Sequence, residues 1–118
     1  MNNLDKLGKI IAQDLRDSSL ERYLALESGS LKSPSTQELI KELDGFSDEQ
    51  KAVIRKVLTN CIDSGVHNLL FAIEEEKEDI AVLIDNENVA ELSDGLNGEI
   101  YTEDGWFEKF SQYGENGI

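Results

Sequence analysis

A chain of 118 residues with 39% hydrophobic and 31% charged residues can bury one modest core without staples, so residues 1–118 read as a single folded domain rather than a disordered one. Its formal net charge of −14 and lone cysteine, Cys61, argue against a basic nucleic-acid patch and exclude an intrachain disulfide. The start "MNNLDKLGKIIAQDLRD" lacks an apolar signal core and no later run approaches the length of a bilayer span, which points to a cytoplasmic protein.

In chain order, Leu4, Leu7, Ile10, Ile11 and Leu15 recur at three- and four-residue steps behind Asn2 or Asn3 as a cap, the pattern of an amphipathic helix. Ser18 followed by Glu21 forms a candidate capping box, so the spacing predicts a bend and a restart near Ser18, with Leu20, Tyr23 and Leu24 continuing the stripe. "GSLKSPS", with the only proline, Pro34, separates two helices. "STQELIKELDGF" then offers Ser35 and Glu38 as a second box, Leu39, Ile40 and Leu43 as a stripe, and Gly45 as a stop.

"SDEQKAVIRKVLTNCIDSG" repeats this grammar with Ser47 and Gln50, and its stripe of Val53, Ile54, Val57, Leu58, Cys61 and Ile62 predicts a buried face. The apolar pairs continue at steps of four to Val66, Leu69, Leu70 and Ile73, and over Val53 to Ile73 such a stripe turns by roughly 200° around a straight helix. Either the helix is wrapped on most sides or it breaks at Asp63-Ser64-Gly65. The capping residues there favour the break. "DIAVLIDNENVAEL" reads as a β-hairpin, with Asp85-Asn86-Glu87-Asn88 as its turn and a second short run at Val89 to Leu92. Five of the eight aromatic residues fall in "EIYTEDGWFEKFSQY". There Thr102 can cap a helix with Glu103 and Asp104 in its first turn, and Trp106, Phe110 and Tyr113 stand at i, i+4 and i+7 on one face.

The charge is uneven. Residues 1–46 hold 6 basic and 8 acidic side chains, 47–73 hold 3 and 3, and 74–118 hold 2 and 14, giving −2, 0 and −12. The last third should repel phosphate backbones and attract cationic surfaces. Enzyme chemistry lacks its usual groupings: one histidine, no G-x-S-x-G turn, and a cysteine placed on an apolar stripe. Cys61 and His67 are six apart and diverge by some 120° on a helix, which fits a structural histidine beside a core cysteine better than a metal site, with Asp63 available to pair with His67. EF-hand registers fail at Val89 and Ala90, and no phosphate-cradling glycine loop occurs. No cofactor is expected.

Ser93 to Leu96, Gly98, Glu99, Gly105, Trp106, Phe110 and Ser111, with "HNLLFAIEE" upstream, give the last 50 or so residues a pattern that resembles a family of small bacterial proteins of unknown function ending in S-D-G-L-x-G-E and then G-W-x-x-x-F-S. That resemblance implies a helical protein with a C-terminal hairpin and helix and supplies no activity. Together these features predict an α+β domain, mainly α-helical with four to six helices, one C-terminal antiparallel hairpin and a terminal amphipathic helix. The expected role is a non-catalytic acidic module of inhibitor, immunity-like or regulatory type that binds a basic protein partner through Glu99, Glu103, Asp104, Trp106 and Phe107. A homo-oligomeric structural protein, or a small-ligand or cation binder with an acidic pocket near 93–99, stands as the alternative. Exposure or burial of Phe107 separates a docking surface from a last piece of core.

Overall fold

The computed structural model describes residues 1–118, and the architecture is mainly α-helical with one two-stranded antiparallel hairpin and a short terminal helix. Asn2 caps the chain's first helix, accepting from the Asp5 N–H at 2.7 Å. Helix α1 (Asn3–Ile10) runs without interruption into a π-helical segment (Ile11–Asp17) and then α2 (Ser18–Ser28). No restart forms at Ser18. That residue is itself helical, its hydroxyl donates back to the Gln13 carbonyl at 3.2 Å, and the Ser19 hydroxyl donates to Leu15 at 2.6 Å. Ser18, expected to cap a new helix, instead satisfies a carbonyl of the widened turn, as its neighbour Ser19 also does.

Gly29, with φ 77, supplies the left-handed residue that ends α2. Helix α3 (Pro34–Asp44) starts with Pro34 in its first turn, where a missing N–H costs nothing, so Ser33 rather than Ser35 holds the cap position. Helix α4 (Asp48–Glu75) opens with the expected capping box, Gln50 N–H donating to Ser47 Oγ at 3.1 Å and Ser47 N–H to Gln50 Oε1 at 2.8 Å.

The break expected at Asp63-Ser64-Gly65 does not occur: α4 continues for 28 residues, about 42 Å, along the 48 Å long dimension of the molecule. Its neighbours change along its length, which removes the conflict posed by the rotating stripe. The first half packs on α2, and the second half on the π segment and a 3-10 turn (Leu96–Gly98). Thr59, Val66 and Leu70 are buried, whereas Val53 and Val57 are 59% and 54% exposed and Cys61 is also exposed. The expected burial of Val53, Val57 and Cys61 is thus corrected, while Ile54, Leu58 and Ile62 are half-buried; the buried positions are 59, 66 and 70.

Strands β1 (Leu83–Ile84) and β2 (Glu87–Asn88) pair in the register Leu83↔Asn88 and Ile84↔Glu87. Asp85 and Asn86 both adopt positive φ, 50° and 66°, the two-residue turn that matches strand twist. The second strand therefore lies inside the expected turn, and Val89–Leu92 is a 3-10 turn that buries Val89 and Ala90. Helix α5 (Trp106–Phe110) is only five residues long. Thr102 sits at φ 75 and does not cap it; Gly105 does. A Cβ on Gly105 would lie 2.1 Å from the Tyr101 carbonyl oxygen, so the entry to α5 admits only glycine. Ile11, Ala12, Val66, Leu70, Ala90, Leu96, Ile100, Trp106 and Phe107 form the core.

Candidate interaction surface

The C-terminal segment is bound into the fold by two neighbouring residues of the π segment. Arg16 is fully buried, and Asp17 is 4% exposed. The Arg16 guanidinium donates through Nε to Asp63 Oδ1 at 2.6 Å and through Nη2 to Asp63 Oδ2 at 3.1 Å and the Glu115 carbonyl at 2.9 Å. Its Nη1 donates to Ser111 Oγ at 3.0 Å and to the Gly114 carbonyl at 2.5 Å. All five N–H groups of the side chain are thereby used, and the plane lies 4.1 Å from the centre of the Phe107 ring. Asp17 accepts from the Ser111 hydroxyl at 2.5 Å and the Gln112 N–H at 2.7 Å. A π turn carries one residue more than an α turn, which changes the face presented downstream of it.

Neither residue stood out in the sequence, where Arg16-Asp17 looks like one more charged pair on a solvated face. The one pointer is spacing: Ala12, Arg16, Leu20 and Tyr23 follow at steps of four, four and three, and all are buried. Asp63 serves Arg16 rather than His67. His67 Nδ1 instead lies 2.8 Å from the Tyr101 hydroxyl, with its ring stacked on Phe71. The picture of a histidine beside a core cysteine is corrected, since Cys61 faces outward.

Of the residues expected at a partner contact, Trp106 and Phe107 are 1% and 2% exposed. Their side chains are core, and the docking role expected for them is corrected. Trp106 packs directly on Gly8, where a Cβ would come within 2.4 Å of the indole. Glu99 is half-buried and accepts from the Ser93 hydroxyl at 2.8 Å, while its carbonyl accepts the Trp106 N–H at 2.8 Å. Only Glu103 and Asp104 of the five stand free in solvent. The Ser93–Glu99 turn is closed on itself by this pair and by the Gly95 N–H on Ser93 Oγ at 3.1 Å. The three surface cavities lie elsewhere: between the π segment and the tail, between α2, α3 and α4, and beside His67 and Tyr101.

No known protein family, curated protein or solved structure matches this chain. Its own surface is then the guide. Lys77 and Lys109 are the only basic residues after position 73, and each is already engaged, with Glu74 at 3.4 Å and Asp5 at 3.3 Å. Glu75, Glu76, Glu78, Asp79, Glu103 and Asp104 are exposed and form no ion pair. The first of these crowd the C-terminus of α4, which has no basic residue in its last turn and Glu76 at its cap. A helix C-terminus carries partial negative charge, so each acid there is unfavourable by about 0.3–1 kcal/mol. No helix is long and apolar enough to cross a membrane.

At the opposite end of the molecule Arg55 joins α4 to α2, its Nε 3.0 Å from Glu27 Oε2 and its Nη2 on the other carboxylate oxygen. The guanidinium holds the Glu27 carboxyl below its ordinary 4.5. Burial, reinforced by Glu27, raises the Tyr23 phenol above its ordinary 10.0; burial and the acids Glu21 and Asp17 do the same for Tyr113.

Proposed function

We propose that this protein is a non-catalytic, acidic interaction module whose partner is a basic protein surface. The observation that carries the proposal is the run of exposed, unpaired acids at the C-terminus of α4, together with a further exposed acidic pair, Glu103 and Asp104, in the turn before α5. Its residues lie in a segment with 14 acidic and 2 basic side chains, and both basic ones are spent internally. Placing Glu75 and Glu76 at the negative pole of a 28-residue helix opposes folding, and a cationic partner would reverse the sign of that contribution. The contact is centred on Glu75, Glu76, Glu103 and Asp104, with Trp106 and Phe107 acting as the rigid support beneath rather than as anchors.

The test is capture of basic proteins from the source cytosol by immobilised wild type and by an E75K/E76K/E103K/D104K variant. A specific basic protein should be retained by wild type at low salt, lost as ionic strength rises, and lost with charge reversal. Retention that is indifferent to both would sink the proposal.

A further inference from the structure

We infer that the groove between α2, α3 and α4 is a binding site for a small monocarboxylic acid with an apolar tail, its head on Arg22 and its tail along the apolar walls. The groove borders the first half of α4, away from the acidic end, and the inference stands or falls separately from the function proposed above.

The groove has a volume of about 340 Å³, within the range of small-molecule sites. Its walls are Tyr23 and Leu26 from α2, Leu39 and Leu43 from α3, and Ile54 and Leu58 from α4. Tyr23 and Leu43 are buried, Leu26, Ile54 and Leu58 are half-buried, and Leu39 is 44% exposed. Apolar side chains of three helices thus surround one concavity, and an apolar occupant gains in proportion to the area it covers. The other two lining residues, Ser19 and Arg22, are polar. The pairs Arg16–Asp63 and Glu27–Arg55 show that the π segment and α2 run antiparallel to α4, which sets Ser19 and Arg22 toward Leu58 and Leu26 toward Ile54. The groove is therefore polar at one end and apolar along the rest. From Ser19 to Leu26 the helix rises about 10 Å, the extended length of a chain of about eight to ten carbons.

Charge selects the head group. The chain has 25 acidic and 11 basic side chains, and acids line both other cavities, Asp17 and Glu21 in one and Asp63 in the other. No carboxylate lines this groove, and Arg22 is its single charged residue. Arg22 is exposed and belongs to none of the ion pairs of the fold. The residues one turn away on its own helix are Ser18, Ser19, Ala25 and Leu26, so α2 offers it no acid at helical spacing. A free guanidinium is a planar fork that takes a carboxylate through two parallel hydrogen bonds. One negative charge satisfies it, whereas a doubly charged head would bring surplus charge toward a chain of −14. A cationic head would meet Arg22 with repulsion, and a neutral one would gain nothing from its charge.

The experiment titrates sodium hexanoate, octanoate and decanoate into the full isotope-labelled chain, with amide shifts locating the site and calorimetry giving Kd. Shifts should concentrate on the stretches that line the groove, and Kd should tighten about threefold to fourfold per added methylene, the worth of one buried CH₂. Arg22→Gln, at an exposed position, should bind octanoate about tenfold more weakly and leave octanol binding unchanged. Leu39→Trp, which fills the groove from an exposed position, should lose the shifts while keeping the wild-type circular dichroism. Absence of groove shifts up to about 10 mM decanoate overturns the inference. So does a Kd indifferent to tail length, an Arg22→Gln variant that binds octanoate as tightly as wild type, or undiminished binding by Leu39→Trp.

Discussion

Replacing Arg16 with methionine keeps the approximate volume of the side chain and removes its charge and all five donors. Asp63 then loses both bonds from the guanidinium, at 2.6 and 3.1 Å, and the Gly114 and Glu115 carbonyls lose theirs. Breaking a buried pair by deleting one partner typically costs 3–5 kcal/mol. Asp63 retains 22% exposure and can recover some hydration, which places the expectation near the lower end, about 3 kcal/mol. With a urea m-value of about 1–3 kcal/mol/M, the unfolding midpoint should fall by about 1–3 M. Hydrogen exchange should show residues 111–118 losing protection first, because Arg16 and Asp17 are the groups that tie down Ser111 and Gln112. Arg16→Lys should be only partly better, since a lysine offers three donors without the planar fork. A midpoint shift equivalent to less than about 1 kcal/mol, the range of an exposed ion pair, would refute the view that this side chain organises the tail.

Gly8→Ala should destabilise by about 1–3 kcal/mol, read as a lower thermal midpoint, because its Cβ meets the Trp106 indole at 2.4 Å; an unchanged midpoint would mean the two are not packed as described. The Glu27 carboxyl is held low by Arg55. Folding stability from this group is present above the ordinary glutamate value of 4.5 and lost as pH falls through the lower folded value. Stability curves for wild type and Glu27→Gln should therefore converge as the medium is acidified below that point, and parallel curves across the acid range would contradict the ion pair's assigned role.

Much of the local structure is written in short-range chemistry. The Asn2 cap, the Ser47–Gln50 box, the Gly45 stop, and the existence of a hairpin at Asp85-Asn86 each depend on residues within a few positions, and each is present. Where two local signals compete, the sequence cannot rank them. Ser18 with Glu21 has the form of a cap, yet Gln13 and Leu15 offer the Ser18 and Ser19 hydroxyls carbonyls in a continuous helix, and that outcome prevails. Asp63-Ser64-Gly65 has the form of a break, yet Asp63 is engaged by Arg16 from another helix and α4 runs straight through.

The sequence alone determined the mainly helical character, the hairpin and the concentration of negative charge after residue 73. Only tertiary packing decided which members of each apolar or aromatic set lie inside. Phe107 is enclosed because α1 and the π segment pack against α5, with Arg16 against its ring, while Val57 is left outside, 54% exposed on α4. Helical periodicity marks a residue as apolar and on a given face. Burial depends on whether another segment, often 50 to 100 positions away, arrives to cover that face, and no local pattern encodes that arrival.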